Sequence, residues 1–568
     1  MKSQKERRIY FLLLLIFLIY GAVIYRLFLI QVLKHSTYSA LAQDQNQIFK
    51  KLIPNRGEIF AQDKNLTFFP LAINREYPAV YLVPREISDK ENLAQKLSEI
   101  LGIDKETILN KAGKIDDPYE PLKSKIDDAS AQKIQELDLE GVYLTSENSR
   151  WYPEKNLTSH LVGFLGYKDD ERVGQYGLEG YYNQDLSGQA GILKTTKDAQ
   201  GTSILMGDYD LEPAKDGGSL YLTIDPNIQF VAAQKLKAVL EKWQSSSGSV
   251  IVMDPKTGAI LAMASFPDFD SNEYSKVENI DDFLNPITQK LYEPGSVFKP
   301  ITMAAGLDSG KVSPETTYVD TGSLEIGGYL ITNAADRSYG LSNMTKVLEK
   351  SINTGVVFAQ RKTGNEIFKN YVEAFGFNGP TGVDLAGEVA GNINNLKENK
   401  EINFATAAFG QGIAVTPLEM AAAICAIANE GKMMRPYLVE KIVYPDGREE
   451  KTEPQAIRQV VSEQTANKLT AMLVSTVRNG YDKIKIKGYF IAGKTGTAQV
   501  PSEDQRGYSD ETIHTFIGYA PAYNPKFLVF IKMDKPKGIN FASDSLGPVF
   551  AEIAKYLFNY YEIPPDEQ

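Results

Sequence analysis

The sequence predicts an α+β chain: an apolar amino-terminal helix, a mixed stretch of short strands and helices, and an antiparallel sheet covered by helices. Three observations predict it. Ile9 to Tyr25 is a run of seventeen residues without a charge. Residues 35 to 220 alternate short strand-like and helix-like pieces with many polar turns. From Thr223 onward a helix, a hairpin, a helical middle, three strand-like runs and a last helix follow in order, the pattern of a sheet with helices packed on it.

The first element is read as a membrane anchor. Crossing about 30 Å of hydrocarbon takes about 20 helical residues, and Leu27 to Ile30 extends the apolar run if Arg26 reaches the interface. Lys2, Lys5, Arg7 and Arg8 precede it and hold a short tail, residues 1–8, on the cytoplasmic side. The span is then 9–33, and everything beyond lies outside. A cleaved signal peptide is the competing reading, because Ala40-Leu41-Ala42 resembles a cleavage site, but the apolar run is longer than the usual h-region.

In the second half, Asp225 is placed to cap a helix that Pro226 opens. Ile228, Ala232, Leu236, Val239 and Trp243 mark its buried face. Asp254 to Gly258 is turn chemistry between apolar runs 249–253 and 259–264, hence a hairpin. Residues 296 to about 430 read as largely helical. Strands are expected at 489–493, 513–520 and 527–533, and a last helix from about Val549 to Tyr560.

Three polar strings fall inside this half in a fixed order: Ser296-Val297-Phe298-Lys299, Ser351-Ile352-Asn353 and Lys494-Thr495-Gly496-Thr497. Each is weak alone. A second S-x-x-K at Ser130 to Lys133 reads as the start of a surface helix. Lys256-Thr257-Gly258 is the hairpin turn, and Lys362-Thr363-Gly364 a helix end with a glycine cap. Only Lys494 follows a strand-like segment downstream of both other strings. As an ordered set they match the S-x-x-K, S-x-N, K-T-G pattern of serine acyl-transferases.

The setting suits a nucleophile. Pro294 and Gly295 break the chain, and Val297 to Leu307 reads as a helix with Ser296 at its start, where free N–H groups and the positive dipole end can meet a developing oxyanion. Residues three apart share a helix face, which sets the Lys299 amine beside the Ser296 hydroxyl. A lysine base at neutral pH needs roughly 4 kcal/mol of bias against its ammonium form, from burial and a second cation. Lys494 is the natural second cation. Only three histidines occur, His35, His160 and His514, none in a triad string, and for His514 a structural hydrogen bond is expected. No His, Cys, Asp and Glu cluster has metal-ligand spacing, so neither metal nor cofactor is expected.

Composition narrows the partners. The formal charge is −11, with 72 acidic against 61 basic residues, which offers no basic surface to nucleic acid. The single cysteine, Cys425, lies in an apolar helical stretch and is expected to be a buried thiol, so no intrachain disulfide can form.

The resemblance extends beyond the three strings. Arg56-Gly57-Glu58-Ile59, Leu71-Ala72, Arg150-Trp151-Tyr152-Pro153, His160-Leu161-Val162-Gly163 and Gly177-Leu178-Glu179-Gly180 precede the catalytic half. Glu293-Pro294-Gly295-Ser296, Thr381-Gly382-Val383-Asp384-Leu385, Gly410-Gln411-Gly412 and Gly493 to Ala498 lie within it. Over essentially its full length the chain resembles the class B penicillin-binding proteins, monofunctional peptidoglycan D,D-transpeptidases.

That resemblance implies an elongated mixed α/β pedestal, or dimerisation-type domain, over 34–220 and a β-lactamase-like penicillin-binding transpeptidase domain over 221–568. It implies that Ser296 attacks the penultimate D-Ala carbonyl of a stem peptide, with Lys299 as base and Ser351 relaying a proton to the leaving amine. Asn353 would hold the substrate amide and the lysine network. Lys494 would tune the field, and Thr495, Gly496 and Thr497 would bind the donor's carboxylate. The N–H groups of Ser296 and Thr497 would form the oxyanion hole. A neighbouring stem's amine would accept the acyl group, and β-lactams would trap the serine. A SEDS-type glycan polymerase is the implied membrane partner, and Ser351-Ile352-Asn353-Thr354-Gly355-Val356 leans toward the division branch. Two rivals share these residues: a carboxypeptidase or β-lactam hydrolase, for which no deacylating base is apparent, and a non-catalytic scaffold regulating a polymerase, against which the intact strings argue.

Overall fold

The computed structural model describes residues 2–33, 47–169, 171–196, 210–502 and 507–567; the Ala40-Leu41-Ala42 string lies outside them. Two compact units result. In one, a helix spans Lys2–Phe28 and continues as a wider π-helical turn, Leu29–Leu33. From Phe11 to Phe28 it is long and apolar enough to cross a membrane, and none of that stretch is buried. The same unit holds a three-stranded antiparallel sheet of Gln47–Leu52, Gly191–Thr196 and Asp210–Glu212.

The other unit contains the second half of the chain and residues 57–186. Asp225 accepts from the N–H groups of Asn227 and Ile228, capping α1 (Pro226–Lys242). Strands β1 (Ser247–Met253) and β2 (Ile260–Phe266) form the hairpin. Then come α2 (Lys299–Asp308), α3 (Asn353–Thr363), α4 (Pro417–Ala428) and α5 (Glu463–Gly480). Strands β3 (Ala492–Pro501), β4 (Tyr508–Ala520) and β5 (Phe527–Asp534) precede α6 (Gly547–Tyr560).

The five strands make one antiparallel sheet in the order β2-β1-β5-β4-β3, with β3 at an edge. Period-two alternation divides its side chains between two cores. Val250, Val252, Phe516 and Ile531 pack with α1 and α6, while Ile251, Ile517 and Phe530 pack with the helices on the opposite face. Helix α4 is buried along its whole length, including Cys425.

Two departures from the sequence reading stand out. The strand expected at 489–493 begins at Ala492 rather than Tyr489 and runs to Pro501, so Lys494 lies within the strand rather than after it. The helical middle is interrupted by two strand pairs, Thr317–Asp320 with Gly340–Asn343 and Ser323–Ile326 with Tyr329–Thr332. Their four-residue strands are too short to show a period and leave much apolar surface exposed, which hid them.

Residues 57–186 are joined to the catalytic half through a second sheet. Ser219–Leu222 pairs in parallel with Ile59–Gln62 and antiparallel with Val439–Val443. Strings distant in sequence meet here. Arg150 Nε lies 2.7 Å from Glu179 Oε1, the pair almost wholly buried, and Gly177 packs so closely on Leu161 and Gly163 that a Cβ would lie 2.5 Å from the Leu161 oxygen. Asp384 accepts from the Leu438 and Val439 N–H groups and from Tyr182 OH.

Candidate active site

Ser296 sits in a 3-10 turn, Gly295–Phe298, immediately before α2. The α-helix proper starts at Lys299, with Pro300 in its first turn, where a missing N–H removes no intrahelical bond. The turn is held from two sides. Gly295 N–H donates to the Gly410 carbonyl, and a Cβ on Gly410 would lie 2.2 Å from Gly295 O. On the other side β3 approaches so closely that a Cβ on Gly496 would meet Pro294 O and Val297 Cγ1 at 3.1 Å. Glycine at 410 is a steric requirement, and at 496 a side chain fits only where its neighbours give by a few tenths of an ångström.

Glu293 braces the same turn: one carboxylate oxygen accepts from Gly412 N–H at 3.0 Å and the other from Tyr508 OH at 3.0 Å. Burial pushes its carboxyl above the usual range.

The three strings converge on one hydroxyl. Ser351 ends the short helix Met344–Glu349 and adopts a left-handed backbone, φ 54°, before α3 begins at Asn353. Such a conformation costs a non-glycine residue about 1–2 kcal/mol and is concentrated at functional sites. Lys299 Nζ donates to the Ser351 carbonyl at 2.6 Å, Ser351 Oγ at 3.2 Å and Asn353 Oδ1 at 2.7 Å. From the opposite side Lys494 Nζ donates to Ser351 Oγ at 3.0 Å, Tyr481 OH at 3.1 Å and the Thr495 carbonyl at 3.0 Å.

The expected side-by-side placement of Lys299 and Ser296 is therefore realised differently. Among the described residues Ser296 Oγ makes no hydrogen bond, and the Lys299 nitrogen is turned instead toward three oxygens of Ser351 and Asn353. Lys299 is 0% exposed and Lys494 1%, and no carboxylate among the described residues pairs with either. Burial, then the neighbouring Lys494 charge, holds the Lys299 amine well below the ordinary lysine range. A buried amine with that bias is suited to take up a proton.

Thr495 and Thr497 are half-buried on the edge strand. Thr497 Oγ1 accepts from Ala542 N–H at 3.2 Å, so its own proton is available to a ligand. Opposite Thr497 in register is His514, fully buried, whose Nδ1 lies 2.8 Å from Ser545 Oγ. This is the structural role expected of it, and burial pushes it down to about 4.

Several residues around the site carry no sequence signal. Tyr481 lies at the end of α5. Thr332 accepts from Asn353 Nδ2 at 2.8 Å. Asp320 collects N–H and O–H donors from Gly322, Asn333, Tyr339 and Thr354 and so ties the strand insertion to the first turn of α3. Burial opposes the Asp320 charge, but these donors prevail and its carboxyl lies below the usual range. A single Asp, Thr or Tyr in a loop has no spacing partner that could have marked it.

Comparison with known proteins identifies the family. The penicillin binding protein transpeptidase domain matches residues 248–555, and the penicillin-binding protein dimerisation domain matches residues 51–222. Stage V sporulation protein D of Bacillus subtilis is 33% identical over 95% of this chain and 84% of its own length. The probable peptidoglycan D,D-transpeptidase PbpC of Pseudomonas aeruginosa is 30% identical, covering 100% of this chain and 97% of that protein. The crystal structure of penicillin binding protein 3 from Mycobacterium tuberculosis, complexed with aztreonam, superposes with a TM-score of 0.69 at 26% identity, over 91% of this chain and 98% of that one. The chain belongs to the penicillin-binding protein transpeptidase family. It is a serine-type peptidoglycan D,D-transpeptidase with an amino-terminal helix that fits a single-pass anchor.

Proposed function

We propose that Ser296 is the nucleophile and that the two lysines serve it unequally. Ser296 Oγ attacks the penultimate D-Ala carbonyl while its proton passes to neutral Lys299. The N–H groups of Ser296 and Thr497 receive the oxyanion, where one such donor is typically worth about 3 to 4 kcal/mol. As the carbon–nitrogen bond to the terminal D-Ala breaks, Ser351 relays a proton to the departing amine. The amine of a second stem then attacks the ester, forms the crosslink and returns the proton to Ser296. Asn353 holds the substrate amide and the lysine network, Lys494 sets the field, and Thr495, Gly496 and Thr497 seat the donor's carboxylate.

The observation that carries this reading is the junction at Ser351 Oγ, contacted by both lysine nitrogens. A serine held in a costly backbone conformation between two buried amines has no evident structural purpose. The same reading takes a boundary near residue 220 between an amino-terminal pedestal, 34–220, and the transpeptidase domain, 221–568. It places residues 1–8 in the cytoplasm, the span at 9–33 and the catalytic domain outside. A SEDS-type polymerase is the partner in the membrane, and the work is septal wall synthesis at division.

The decisive experiment is intact mass of the protein over time after benzylpenicillin, wild type against Ser296→Ala. A persistent adduct that disappears in the variant is expected. Rapid turnover of the drug would indicate a hydrolase, and an adduct retained by Ser296→Ala would move the nucleophile elsewhere. Cleavage beyond residue 34 by external protease in spheroplasts tests the topology.

A further inference from the structure

Tyr481 has no task in the chemistry above, yet its hydroxyl stands between two groups that do. It is 8% exposed. Lys494 Nζ donates to it at 3.1 Å and Thr495 Oγ1 donates to it at 2.8 Å, while the ammonium lies 5.9 Å from the ring centroid. A phenol that accepts from an ammonium still has a proton of its own. Among the described residues, Thr495 Oγ1 is the side-chain oxygen paired with it that can take that proton. Two hydroxyls at this separation exchange donor and acceptor roles by rotation alone.

We propose that Tyr481 is a positioning residue for the donor's terminal carboxylate, acting by reversal of its hydrogen bond with Thr495. When an anion arrives at the edge strand, Tyr481 O–H donates to Thr495 Oγ1 and the Thr495 proton turns to the anion. The chain then runs in one direction, from Lys494 N–H to Tyr481 O–H to Thr495 O–H to carboxylate. Each donor polarises the next, so a charge buried beside Ser351 strengthens a contact at the rim of the site. No covalent bond changes and no proton changes owner. A phenylalanine would fill the same volume and leave the Thr495 hydroxyl without the phenol's donated proton.

This inference rests on Thr495 as a carboxylate ligand, so its test varies the carboxylate directly. Acylation rate constants of the full chain in detergent are measured with benzylpenicillin and with its methyl ester, for wild type and Tyr481→Phe. Wild type is expected to prefer the acid, and the variant to lose about tenfold of that preference, the scale of one hydrogen bond to a charged group, with the ester rate little changed. Equal falls with both compounds would assign Tyr481 a purely structural role and overturn the proposal, as would an unchanged ratio. A wild type without preference for the acid would instead remove the carboxylate reading beneath it. If Tyr481→Phe does not fold, 3-fluorotyrosine at position 481 keeps the size and strengthens the donor: the ratio should rise, and an unchanged ratio overturns the proposal.

Discussion

Replacing Lys494 by methionine keeps most of its length and removes its charge, and the structure fixes how much that charge matters to Lys299. Both nitrogens contact Ser351 Oγ, at 3.2 and 3.0 Å, so they lie within about 6 Å of each other. Two unit charges that close repel by roughly 3 kcal/mol at an effective dielectric of about 20, which lowers the proton affinity of Lys299. On the proposed mechanism Lys299 must be neutral to accept the Ser296 proton, so acylation should rise with pH as Lys299 deprotonates. Loss of Lys494 lets Lys299 hold its proton more tightly. The rising limb of the pH–rate profile should therefore move to higher pH. Second-order acylation by a fluorescent penicillin, followed from acid to alkaline pH on folded wild type and Lys494→Met, reads this directly. Some loss of plateau rate is expected as well, because Ser351 Oγ and Tyr481 OH lose a donor. A lower plateau with the limb unmoved would refute the argument that Lys494 controls the protonation of Lys299.

Three further predictions come from separate features. Ser351→Gly and Ser351→Ala should both abolish productive acylation, but the glycine variant should be more stable by about 1 kcal/mol because it relieves the left-handed backbone; equal melting temperatures would dismiss that strain. Gly410→Ala should reduce acylation far more than Gly496→Ala, since the added methyl meets backbone at 2.2 Å in one case and its nearest neighbours at 3.1 Å in the other, a difference measurable by gel labelling with the same penicillin. His514 is held down to about 4 against an ordinary value of 6.5, so the unfolded chain binds its proton first. Its share of stability, about 3 kcal/mol, is full above pH 6.5 and lost as pH falls toward 4; chemical denaturation of His514→Gln across that window should lack this slope.

What could be read in advance followed the physics of each element. The cap at Asp225, the turn at Asp254 to Gly258 and the strands around Phe516 and Phe530 were visible because capping, turn and alternation signals act within a few residues. The three strings were legible because their chemistry fixes residue type and spacing together. Lys299 was only half legible: its neighbourhood with Ser296 follows from helical spacing, whereas its actual acceptors, Ser351 and Asn353, lie more than fifty residues away. The brace at Glu293 depends on Gly412 and Tyr508, and the hub at Asp320 on Asn333, Tyr339 and Thr354. Such contacts are created by the fold and leave no local pattern.

The strand Ser219–Leu222 gives the molecule a mechanical property. It is clamped between Ile59–Gln62 on one side and Val439–Val443 on the other. A tug on Ile59–Gln62 along the strand direction loads both registered pairs, Leu220 with Ile59 and Tyr221 with Phe60, together in shear rather than one at a time. A flexible tether would absorb such a pull by uncoiling. This splice passes it on to the catalytic half of the chain.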